Sequence, residues 1–92
     1  MNDDQLDRSL RSIGKACFVK HFELFNNGSI SRLDAVKYLM KHEGYEESGS
    51  RIRVSYARSI IEAGRGKDAL KIVSSSRIDD FALAEKARRL SI

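Results

Sequence analysis

Residues 2 to 25 read NDDQLDRSLRSIGKACFVKHFELF, and the spacing of their apolar positions decides the fold. Leu6, Leu10, Ile13 and Cys17 recur at threes and fours and form one stripe of a helix. Phe18, Phe22 and Phe25 form a second stripe, so the later half is apolar over a wide arc. Asn2 is placed to cap the first turn, with Gln5 three residues on as in a capping box, and Asp3 and Asp4 suit the positive end of the helix dipole. The spacing predicts one helix from Asn2 to the residue before Asn26-Asn27-Gly28, its second half at the centre of the core.

Four more helices follow from the same reasoning. The second opens with Ser31 as N-cap, has Asp34 three residues later, turns Leu33, Val36, Leu39 and Met40 inward and stops at Gly44. The third opens near Ser48 to Ser50 and runs to Gly64, with Ile52, Tyr56 or Ala57, Ile60 and Ile61 inward. Residues 51 to 56 also alternate polar and apolar, so a short half-buried strand competes there. The fourth covers Lys67 to Ser75 with Ala69, Leu70 and Val73 inward. The fifth runs from Asp79 to Leu90 with Phe81, Ala84, Ala87 and Leu90 inward, capped by Ser76 or Asp79.

The 92 residues suffice for one domain, and the absence of proline favours unbroken helices. The expected architecture is all-α: a single domain over residues 1 to 92, a bundle of about five short helices. With 41% apolar and 33% charged residues the chain is neither disordered nor membrane-like. A core this small leaves little room for a deep enclosed active site, which favours a binding module over an enzyme. The single cysteine excludes an internal disulfide, and the acidic start Met1-Asn2-Asp3-Asp4 is unlike a secretory signal, so a cytoplasmic chain is expected.

The net charge of +4 is unevenly distributed. Residues 50 to 77 hold Arg51, Arg53, Arg58, Arg65, Lys67, Lys71 and Arg77 against only Glu62 and Asp68, an excess of five, while the rest of the chain sums to minus one. Arg51, Arg58 and Arg65 are seven apart, and a straight helix drifts only about 20° per heptad, so one face carries all three. Ser55 and Glu62 fall between them, with Glu62 placed to neutralise Arg58 in part. Guanidinium forks bind phosphates or carboxylates bidentately. The competing reading is a solvated outer face.

Residues 56 to 75 resemble a helix-turn-helix: a helix ending at Gly64, the turn Gly64-Arg65-Gly66, then a helix presenting Lys67, Lys71 and Ser74 or Ser75. Ile60 is larger than the small residue usual in that motif, and Arg65 sits where it often prefers an apolar one. The second and third helices around Gly44 could form another such unit. Gly64 followed by Ala69-Leu70 also has the spacing of a tetratricopeptide-type repeat, but no second copy is present.

Other motifs carry less chemistry. Cys17 and His21 are one turn apart, as a metal pair or a nucleophile and base would be, yet Cys17 continues an apolar stripe and a fourth ligand is missing even with His42. Gly64-Arg65-Gly66-Lys67-Asp68 resembles the end of a phosphate loop but lacks its leading glycine and its Ser or Thr, and so reads as a turn. Asp79-Asp80 and Glu46-Glu47 read as caps and solvated charge. Tyr56, between Arg53 and Arg58, is the aromatic suited to stacking on a base or anchoring an interface.

The expectation is a non-enzymatic binding protein without metal, cofactor or membrane contact. Its partner would be nucleic acid, DNA or RNA, or a nucleoprotein complex, held through Arg51, Arg53, Ser55, Tyr56, Arg58, Arg65, Lys67, Lys71 and Arg77. Duplex half-site recognition would need a homodimer, formed through the apolar part of the first helix or through the fifth. The alternative is a small phage- or plasmid-type accessory protein that inhibits or adapts a host complex by docking on an acidic protein surface.

Overall fold

A computed structural model describes residues 1–92. The chain is all-α, without strands, in seven helices: α1 (Asp3–Ile13), α2 (Lys15–Lys20), α3 (Phe22–Phe25), α4 (Arg32–Glu43), α5 (Glu47–Glu62), α6 (Gly66–Ser74) and α7 (Phe81–Leu90). Seven replace the expected five because residues 2 to 25 do not form one rod. A straight helix of that length would be roughly 36 Å long, and the molecule's longest dimension is 30 Å.

The first break comes at Gly14, with φ at 89° and ψ at 124°, a conformation that side chains disfavour. The second comes at His21. Folding the segment back lets both apolar stripes face one core. The expected start is present: Asn2 Oδ1 accepts from the Gln5 N–H at 2.8 Å while Gln5 Oε1 accepts from the Asn2 N–H at 2.9 Å. Gly44 ends α4 in the left-handed region, φ 71°, its N–H donating to the Met40 carbonyl. Both glycines predict a measurable penalty. Gly44→Ala, in left-handed helical geometry with open space around its Cβ position, should cost about 1 kcal/mol. Gly14→Ala, further from any minimum open to alanine, should cost about 2 kcal/mol in urea unfolding. A smaller loss at position 14 than at 44 would contradict this origin of the break.

Seventeen apolar side chains drawn from all seven helices make a single core. Phe18 lies at its centre, edge-on to Phe22 at 5.6 Å between ring centroids and stacked with Phe25 at 6.3 Å. The α5 helix packs along α1 on one side and α4 on the other, and α6 packs chiefly on α7. α1 and α5 run antiparallel: Arg65, just past the end of α5, holds Met1 and Asp3 at the start of α1.

Several inward positions differ from expectation. In α4 the buried residues are Ala35, Val36 and Leu39, with Leu33 and Met40 exposed on a flank, because the helix lies at the edge of the molecule and packs along a narrow strip. Residues 51 to 56 are helix, which overturns the strand reading. The buried face of α5 is Ser50, Val54, Ala57 and Ile60, leaving Ile52 and Tyr56 49% and 42% exposed. The helix begins at Glu47, ahead of the serines, with no side-chain cap. In α6 Ala69, Leu70 and Val73 are buried as expected. α7 begins at Phe81 and is capped by Asp80 Oδ1, accepting from the Leu83 N–H, in place of Ser76 or Asp79. Only Ala87 of α7 is fully buried, and Phe81, at the first helical position, is 77% exposed.

Candidate nucleic-acid interface

The basic residues of the third predicted helix are mostly engaged with the protein itself. Arg51 donates from Nε and Nη2 to Glu47 Oε1, at 3.1 and 2.7 Å, one turn back on exposed α5 surface. Arg53 lies over the Tyr45 ring, 3.9 Å from its centroid, and donates to the Gly49 carbonyl. Arg58 donates from Nη2 to the Ile30 carbonyl at 2.6 Å, tying α5 to the start of α4; its expected partner Glu62 is not bonded to it. Ser55 is half-buried and Tyr56 faces solvent.

Arg65 departs furthest from the predicted stripe. α5 ends at Glu62, so Arg65 lies in the turn before α6, off the axis shared by Arg51 and Arg58. Its guanidinium donates to Asp3 and Asp68, each at 2.7 Å, and to the Met1 carbonyl. The hydrogen bonds to Asp3 and Asp68 hold it still more firmly in its charged form. The three-arginine stripe is therefore not a surface of this molecule: Arg65 is the tie that closes α1 against the α5–α6 turn.

Unpaired positive charge lies on α6 and just beyond it, as it also does at Arg8, Arg32, Lys37, Lys41 and Arg89. Lys67, Lys71 and Arg77 are exposed and make no ion pair. Lys67 and Lys71 are one turn apart and share a face. Ser74 and Ser75 turn their hydroxyls back to donate to the Lys71 carbonyl. Sequence spacing missed Lys15, whose Nζ donates to Ser76 Oγ at 2.9 Å across 61 residues. This brings a fourth cation to the C-terminal end of α6, where the helix dipole favours positive charge. No local signal marks Lys15, since only the packing of α2 against α6 places it there.

Cys17 and His21 do not converge. Cys17 is buried, and burial pushes its thiol up. His21 is buried beside α4, and Glu43 Oε1 accepts from Lys20 Nζ at 2.6 Å and from His21 Nε2 at 3.0 Å. The Lys20 and His21 hydrogen bonds hold the Glu43 carboxyl below its ordinary value. The folded state therefore binds fewer protons there than the unfolded chain. The stability so gained is present above the ordinary carboxylate range and lost as pH falls through the lowered value. Urea midpoints measured against pH should show Glu43→Gln less stable than the parent near neutrality, with the gap closing in acid; a constant gap would remove Glu43 from the acid response.

No group of three or more His, Cys, Asp or Glu side chains is placed to hold a metal ion, and no helix is long and apolar enough to cross a membrane. No protein-family model matches the chain, and no curated protein or solved structure matches it.

Proposed function

We propose that the chain is a non-enzymatic, cytoplasmic binding protein that attaches to nucleic acid, alone or within a nucleoprotein complex, through α6 and the loop that follows it. The observation that supports this is the division among the basic residues expected at the interface: the arginines of α5 and Arg65 bond to their own protein, whereas Lys67, Lys71 and Arg77 are exposed and make no ion pair. Such residues contact phosphates, supply most of the affinity and discriminate little between sequences. In this reading α5, the turn at residues 63 to 65 and α6 act as a helix-turn-helix-like pair, with α6 the helix offered to the ligand. The apolar part of the first predicted helix is core and cannot serve a dimer, so half-site recognition would pair two copies through α7, where Phe81 stands exposed.

Fluorescence anisotropy against labelled duplex DNA, single-stranded DNA and RNA at several salt concentrations tests the reading. Three phosphate contacts predict a log–log slope of about −2.7 on duplex and about −2 on single strands. Absence of binding to all three ligands at low salt would overturn it.

Ile52 and Tyr56, one turn apart on the exposed side of α5, support a second reading. An apolar pair flanked by charge suits a protein interface, as in an accessory protein that inhibits or adapts a host complex. Salt-tolerant, saturable binding to a single protein, lost in Ile52→Asp with Tyr56→Ala, would favour it over nucleic acid.

A further inference from the structure

Two cavities adjoin where α3, α5, α6 and the end of α7 meet. The first, about 310 Å³, is lined by Phe22, Asn26, Ile61, Gly66, Lys67 and Leu90 among others. The second, about 240 Å³, is lined by residues including Phe25, Arg58 and Glu62. Asn26 and Ile61 line both, so the two form one cleft. Its apolar lining of Phe22, Ile61 and Leu90 packs on the core and is not fully covered. Gly66 opens α6 without a side chain; a Cβ there would lie 3.8 Å from the Phe22 ring and 3.9 Å from Ile61, over that lining. Lys67 has no acidic partner, and the only carboxylate lining either cavity, Glu62, belongs to the second.

We propose that this cleft docks a short segment of a partner protein in which a leucine or phenylalanine neighbours an aspartate or glutamate. The apolar side chain enters the first cavity onto Phe22, Ile61 and Leu90, and the carboxylate meets Lys67. The Asn26 amide, on the shared wall, pairs with a peptide group of the segment. An open cleft with an apolar floor leaves a peptide backbone in solvent, whereas a small free acid would bury too little surface to be held. The site shares Lys67 with nucleic-acid attachment, whose other two contacts, Lys71 and Arg77, lie outside it.

A random peptide library displayed on phage and selected on the intact chain tests this. Selected peptides should share an apolar residue next to Asp or Glu. Their binding should fall at least tenfold in Lys67→Glu and vanish in Gly66→Leu, whose new side chain fills the mouth while circular dichroism and any nucleic-acid affinity stay unchanged. Binding should survive Lys71→Glu with Arg77→Glu. Selection of no peptide, a consensus without acid, or full binding by Gly66→Leu would overturn the proposal. So would displacement of the peptides by free 4-methylpentanoate at equal concentration, which would make the cleft a small-acid pocket.

Discussion

Reversing Lys67, Lys71 and Arg77 to glutamate together should reduce nucleic-acid affinity by about 500-fold or more at 0.1 M salt, since each phosphate contact contributes a factor of about 8 through counterion release. The three side chains are exposed and unpaired, so the variant should keep its helicity and thermal midpoint. Anisotropy should also show the salt slope falling toward zero, which distinguishes lost phosphate contacts from a lost fold. Arg51→Glu should have a far smaller effect on binding, because Arg51 already spends its charge on Glu47. An unchanged slope in the triple variant would move the binding surface off α6.

The largest stability effect should come from Phe18→Ala. Phe18 is fully buried between Phe22 and Phe25, where α2 turns the chain back into the core. Truncating a buried phenylalanine costs about 3 to 5 kcal/mol, against a total stability of roughly 5 to 14 kcal/mol for a domain of this length. Urea unfolding followed by circular dichroism should show the stability lowered by that amount, which at the low end of the range brings the variant to its midpoint without denaturant. Phe81→Ala, at an exposed position, should stay within about 0.5 kcal/mol of the parent. Equal effects at the two positions would mean that the core is not centred on α2.

Helical class and most helix ends were legible in the sequence because caps act over three or four residues: Asn2 with Gln5, Ser31 with Asp34, and Gly44 against Met40. The break at Gly14 was not, since the apolar spacing runs through it and the constraint comes from the size of the whole molecule. Ile52 and Val54 are alike in hydrophobicity, and only the approach of α1 and α4 to α5 decides that Val54 faces inward. The site was legible in the same uneven way. Local spacing put Lys67 and Lys71 on one exposed helix face, as the structure has them, but Arg65 is bonded to Asp3, 62 residues away, a pairing that heptad spacing cannot reveal. Reversing Arg51, Arg58 and Arg65 would therefore break ties to Ile30 and Asp3 and confound binding with stability.

The packing of α1 against α5 has a consequence during synthesis. Ile13 and Val54 are separated by 41 positions in the chain, and a ribosome adding about 5 to 20 residues per second needs about 2 to 8 s to cover that distance. Throughout that interval the apolar sides of α1 and α2 have no completed core to enter, while the hairpin of α4 and α5 is still being translated. The nascent chain is thus most exposed to chaperones and to aggregation over Leu6 to Phe25; α1 is covered once the end of α5 emerges and Arg65 can reach Asp3, and α2 only when α6 and α7 follow.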